Sequence, residues 1–226
     1  MSVHDGHRGR LRRQLLESGL DSFSDVQVLE LLLSFAIARK DVNPLAHALL
    51  AEFGSLHGVL EAHPLDLQRV DGVGENTAAL LTMMPQLLRR YAISANRTGR
   101  IITTTEEAGN YLISYFLGAK GEEVYLLCLD AKCKMLDCRR MFSGSINNVS
   151  INVRRIVEEA LRHRATSVIL AHNHTSGIAL PSRDDEESTS IVQAALEAVG
   201  IQLVDHIVVA GDDFVSMADS GFFRRR

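Results

Sequence analysis

The stretch ILAHNHTSGIALPSRDD, Ile169 to Asp185, opens on a greasy run, sets two histidines two residues apart at its end, and follows them with a short Gly- and Pro-containing loop and a Ser-x-x-Asp. Residues i and i+2 of a strand project from the same face. Read as a strand, SVILAHNH therefore presents His172 and His174 together and sends Asn173 to the opposite side. A helix starting near Ser182 brings Asp185 into its first turn. Two imidazoles and a carboxylate make three ligands, the pattern of catalytic zinc sites, in which a fourth tetrahedral position stays open for water. Water so held loses a proton near neutral pH and can attack a carbonyl. Each half has a plainer meaning by itself. Ser182-x-x-Asp185 is also a capping-box variant, with Ser at the N-cap and a carboxylate at N3, and His-x-His alone says little. Joined across so short a loop they say more, and Asp185 can serve a helix start and a metal at once.

Outward from this stretch, strands and helices mix. EVYLLCLD (Glu123 to Asp130) reads as an apolar strand, and MLDCRRMFSG as a second, paired with it across AKCK. VRRIVEEALRH (Val153 to His163) reads as an amphipathic helix with Ile156, Val157, Ala160 and Leu161 on its inner face. SRDDEESTSIVQAALEAVG reads as a helix ending at a C-cap glycine, Gly200. LVDHIVVAGDDFVSM reads as a final hairpin turning at Gly211-Asp212-Asp213, and Thr104 or Thr105, ahead of Glu106 and Glu107, as a helix cap. Together they predict a one-sheet α/β or α+β domain over 104–226. His206, inside a strand, reads as a packed, hydrogen-bonded histidine, and His163 as a cation at a helix C-terminus.

The first half has a different texture. Leu11, Leu15 and Leu16 recur at helical spacing, as do Val28, Leu31, Leu32 and Phe35, and then Leu45, Leu49 and Phe53. Turn residues separate these segments at short intervals, which predicts an all-α domain over 1–95. The polar break NRTGR sets a linker at 96–103. VDGVGENTAALL (Val70 to Leu81) fits a helix-hairpin-helix turn, in which Gly72 and Gly74 permit a tight hairpin and the following helix offers its first amides to a phosphate. The same G-x-G is also an ordinary turn. This half carries more Asp and Glu than Lys and Arg, and Glu75-Asn76 follows the glycines. Any DNA contact is expected to be weak and non-specific, with protein docking or a structural role as the other readings.

Bulk properties narrow the class. The chain has 226 residues, 46% of them hydrophobic, enough for one large domain or two small ones, and a formal net charge of −4, so no basic field advertises nucleic acid or an anionic membrane. Cys128, Cys133 and Cys138 are odd in number and match no zinc ribbon, which suits reduced thiols. The longest greasy run, VLELLLSFAIA, contains Glu30 and falls well short of the ~20 residues a bilayer span needs. A cytoplasmic protein with no membrane partner and no targeting segment is expected.

H-x-H, seven residues, then S-x-x-D is the signature of JAMM (MPN-type) metalloproteases, and His172, His174, Ser182 and Asp185 fit it position for position. With HNHTSGIALPSRDD, GIQLVDHIVV, ELLLSFAIARKDV and LQRVDGVGENTAALL, nearly the whole chain resembles the RadC family. The resemblance departs at Thr175 and at Ile178-Ala179, where the family usually carries Pro and an Asp-Pro or similar pair. It implies one Zn2+ per chain on His172, His174 and Asp185, a glutamate at the start of the first long strand as general base, and Ser182 hydrogen-bonded to the metal-held water or to the developing oxyanion. Glu122 and Glu123 compete for the base. Their side chains face opposite ways, and Glu122 is favoured by lying eight residues before Asp130, as the resembling proteins space it. The implied activity is hydrolysis of a peptide or isopeptide bond in a protein or peptide substrate. A DNA-repair accessory or metal-dependent nuclease, and an interaction module with a silent site, are the alternatives. Contiguous His-Asn-His is not the HNH nuclease arrangement, and too few residues follow His174 for an amidohydrolase barrel.

Overall fold

The computed structural model describes residues 3–38, 40–95, 99–144 and 153–222. They form two compact units, Met1–Leu88 and Arg89–Arg226.

The first unit is all helical: α1 (Val3–Ser18), α2 (Asp25–Ala36), α3 (Asn43–Phe53), α4 (Leu56–Glu61), α5 (Pro64–Leu67) and most of α6 (Glu75–Ala95). Its helices start where local chemistry directs. Ser24 and Gln27 form a capping box on α2, Pro44 opens α3, and Ser55 caps α4. Leu29, Leu33, Ala46, Leu49, Val59, Leu67, Ala78 and Leu81 make the core. The inner face of α2 is only partly as read: Leu31 is buried, but so are Leu29 and Leu33, and Phe35 is exposed. Almost every residue of VLELLLSFA is apolar, so periodicity could not set the phase, and tertiary packing did. Buried Glu30 ties three helices, with His7 Nε2 at 2.9 Å and Asn43 Nδ2 at 3.3 Å.

The second unit carries one mixed sheet of β1 (Glu123–Leu129), β2 (Met135–Ser143), β3 (Ser167–Asn173), β4 (Gln202–Ala210) and β5 (Asp213–Ser216), in the order β2-β1-β3-β4-β5. β3 and β4 are parallel and the other pairs antiparallel. The crossover between β3 and β4 is α9 (Arg183–Glu197), as parallel strands require. One face of the sheet packs Val124, Leu126, Val168, Leu170 and Val208 against α8 (Val153–Arg162) and α9. The other packs Tyr125, Leu127, Ile169, Ala171, Ile207 and Val209 against α7 (Thr105–Phe116). β1 and β3 are therefore buried on both sides, which explains their unbroken apolar text. Thr104 caps α7 in a capping box with Glu107, and both hairpins form where the turn residues put them.

One expectation changes in this unit. The inner face of α8 includes Glu159, not Leu161, which is half exposed. Arg139, Arg162 and His163 surround the Glu159 carboxylate and make its burial tolerable. The read linker 96–103 is described only in part. Its residues 96–98 lie outside the described set, but Gly99 and Ile102 donate to Met135 and Cys133, and Ile101 bridges Lys134. The division between units falls inside α6, whose last turns already carry residues of the second unit, Arg89 and Ile93.

Gly109 of α7 lies flat against Phe214 of β5, and an added Cβ would fall inside that ring. Gly109→Ala should lower stability by about 1–3 kcal/mol, and Phe214→Leu in the same chain should recover part of the loss. Urea midpoints of the four proteins measure this, and strictly additive losses would refute the contact.

Candidate metal centre

His172 is the penultimate residue of β3 and 1% exposed. Strand alternation sets it on the face of Val168 and Leu170, under α8 and α9. His174 follows just past the strand, where its amide donates to Val209 O at 2.8 Å. Its Nδ1 lies 3.2 Å from Ile178 O. A carbonyl only accepts, so Nδ1 carries a proton and Nε2 is the nitrogen turned to the site.

Asp185 occupies N3 of α9, and Ser182 is the N-cap in a reciprocal capping box, as the plainer reading had it. Its Oδ2 accepts from Ser182 N at 2.7 Å and Ser182 Oγ at 2.6 Å. Its Oδ1 is 3.2 Å from His172 Nε2, and Oδ2 is 3.4 Å from His174 Nε2. The two Nε2 atoms are 3.0 Å apart. Ligand atoms ~2.0–2.1 Å from a tetrahedral zinc are separated by about 3.3–3.4 Å, so the three donors are close to the spacing a metal ion takes and form a group that could hold one. Burial lowers the His172 pKa to about 4; the charge of Asp185 opposes this and His174 adds to it. The ring is thus neutral at neutral pH, as a ligand must be. Behind it lie His206, with Nε2 at 2.8 Å from His172 Nδ1, and Thr189, with Oγ1 at 2.5 Å from His206 Nδ1.

The two glutamates stand at the start of β1, and the contacts of Glu123 are defined. Glu122 directly precedes β1, whose Val124 pairs with His172, and is half buried; only strand alternation carried back beyond the strand start would set it on the histidine face. Asn173 projects to the other side and grips the residues flanking Glu122: it accepts from Glu123 N at 2.7 Å and donates to Gly121 O at 3.1 Å. Glu122 O accepts from Gly144 N at 2.7 Å. Glu123 lies on the α7 face, 2.7 Å from both Arg89 Nη2 and Arg140 Nη1. Burial raises its pKa, but the two arginines outweigh that and hold the carboxyl below its ordinary value.

The other residues singled out in the sequence fall elsewhere. Gly72 adopts φ 92° in the turn before α6, which only glycine takes easily, whereas a Cβ on Gly74 would meet nothing. Lys40, Asp41 and Asp71 line the cavity beside Gly72, two acidic residues to one basic, and the Asp41 carboxylate accepts from Asn43 N at 3.0 Å. The cysteines are free thiols. No helix among the described residues is long and apolar enough to cross a membrane. His163 meets Glu159 at 3.0 Å and Asp137 at 3.3 Å instead of capping α8 alone. That second group of potential ligands is already bridged by Arg139, 3.1 Å from each carboxylate, which supplies the charge a cation would bring. Sequence reading missed the roles of Thr189 and Asn173. The one local signal was the i, i+4 spacing that sets Thr189 a turn beyond Asp185.

Residues 102–222, more than half of the chain, match the family model described as RadC-like JAB domain, and residues 6–79 match the one described as UPF0758 N-terminal.

Glu123→Gln removes a structural ion pair and no site ligand. It should cost about 2–3 kcal/mol at neutral pH, less than the ~3–5 of a fully buried pair because Arg140 is half exposed. A carboxyl with a depressed folded pKa stabilises above its unfolded pKa and loses that contribution as pH falls. The gap between wild type and variant should therefore close as pH drops below 4.5. A gap constant from pH 7 to pH 3 in chemical unfolding would refute the assignment.

Proposed function

Since the chain belongs to the RadC-like JAB domain family, we propose that its second unit is a zinc-dependent hydrolase of peptide or isopeptide bonds. JAB domains include hydrolases. The observation that carries the reading is the meeting of two imidazole nitrogens and a carboxylate at 3.0–3.4 Å. Such a cluster of acceptors repels itself unless a cation or shared protons draw it together. Zinc bound there would polarise a substrate carbonyl and ease loss of a proton from water near neutral pH.

The chain's own residues divide the remaining work. His172, His174 and Asp185 are the ligands. Glu122, on the same face by strand alternation and held by its pinned neighbours, takes the proton of the attacking water on its carboxylate and passes it to the leaving amine. Ser182, an exposed residue at the α9 start, is the donor that steadies the oxyanion; its present bond to Asp185 Oδ2 must then be shared or exchanged. Ile178 and Leu180, both well exposed on the loop between the ligands, offer a substrate apolar contact. The acidic balance of the cavity lining at Gly72 favours protein docking over phosphate contact for the helical unit.

Purified protein should hold about one zinc per chain, and His172→Ala, His174→Ala and Asp185→Asn should weaken binding by orders of magnitude. Glu122→Gln should keep the metal and lower turnover of a peptide or isopeptide substrate by 10²-fold or more. Stoichiometric zinc in the double His→Ala protein, or full turnover by Glu122→Gln, would overturn the reading.

A further inference from the structure

We infer that His206 and Thr189 are positioning residues that hold His172 in the tautomer with a bare Nε2, so that the ligand is set before any metal arrives. The inference rests on the metal reading of this site, but its geometry stands independently. Thr189 Oγ1 lies 2.5 Å from Asp185 O. A carbonyl oxygen has no proton to give, so the single hydroxyl proton of Thr189 must point to it. The hydroxyl then meets His206 Nδ1, also at 2.5 Å, as an acceptor, and Nδ1 must be the donor. His206 is wholly buried, which favours the neutral ring. Its Nε2 therefore carries a lone pair, and the 2.8 Å contact with His172 Nδ1 requires the proton on His172. His172 Nε2 is left bare, aimed at His174 and Asp185.

The direction of the whole chain is fixed by one atom, the Asp185 carbonyl. The path starts on one ligand residue and ends on another, and crosses α9, β4 and β3 to do so. His172, Thr189 and His206 are each at most 1% exposed, so solvent is not at hand to substitute for a missing partner. If the hydroxyl is removed, His206 loses the acceptor for Nδ1–H. Its proton is then free to move to Nε2 and donate to His172 Nδ1. That drives the His172 proton onto Nε2, where it blocks the metal. A group two hydrogen bonds away from the ligand atom should thus control it. Outer partners of ligating histidines typically change metal affinity 10–100-fold.

The test uses full-length metal-free protein with 15N-labelled histidine, in which two-bond proton–nitrogen correlations report each ring's tautomer. Wild-type His172 should carry its proton on Nδ1, and in Thr189→Val the Nε2–H form should become substantial or dominant. Zinc affinity by chelator competition should fall 10–100-fold in Thr189→Val and His206→Leu. It should stay near wild type in His206→Gln, whose amide can both accept from His172 and donate to Thr189. Thermal melts of the metal-free proteins establish folding, and if His206→Leu does not fold, the other two variants decide. An Nε2-protonated His172 in wild type overturns the inference, as does a Thr189→Val protein with wild-type tautomer and zinc affinity. If wild type binds no zinc, the hydrolase reading fails, while the tautomers of wild type and Thr189→Val still decide whether His206 and Thr189 set the His172 ring.

Discussion

Burial of β3 on both faces is the constraint from which the second unit follows. A strand between two helical layers exposes no side chain, and a polar group left there without a partner costs about 1–3 kcal/mol. Ile169 and Ala171 look to α7, Val168 and Leu170 to α8 and α9. The strand then ends in His172 and Asn173, and each finds partners at once. Asn173 takes two backbone groups of the neighbouring chain segment; His172 takes His206 on one side and the ligand cluster on the other. The histidine end of the strand is thus where sheet packing runs out of apolar text and must satisfy polar groups individually.

The capping box on α9 extends this economy. Asp185 divides its two oxygens: Oδ2 accepts the Ser182 amide and hydroxyl, and Oδ1 faces His172. One side chain meets a rule of helix initiation and supplies the carboxylate of the proposed metal cluster. The first helps hold the rotamer that the second needs, so the competing readings of Ser-x-x-Asp were never exclusive.

How much of this was legible in the sequence depended on distance along the chain. His172, His174 and Asp185 lie close together, and strand alternation plus the cap sufficed to unite them. The element order was readable for the same reason, since apolar runs, caps and turn glycines are local. Failures came where the deciding contact was remote or the pattern saturated. In α2 nearly every position is apolar, so no periodicity marks the inner side, and in α8 the burial of Glu159 depends on Arg139 from β2. The contrast between Glu122 and Glu123 needed the register of β1 on β3 and the arginines of α6 and β2. His206 was hidden more deeply. The pairing of β3 with β4 shifts register at Val168/Ile169, and this irregularity lets Leu203 and His206, three residues apart, serve one face. Simple alternation from Leu203 would have turned His206 away from the site.

The passage of α6 from one compact unit into the next bears on how such a chain can be inherited. Arg89, one of two counter-ions of Glu123, and Ile93, packed on the α7 side of the sheet, are written in the same helix as Ala78 and Leu81 of the helical core. A recombination joint placed in the polar segment after α6 would give a new partner sequence a sheet whose buried carboxylate keeps only the half-exposed Arg140. Lineages that exchange the helical half must therefore break within α6 or supply a replacement guanidinium. The trace of a past exchange would be a change of helix phase near Leu88, not a change of linker.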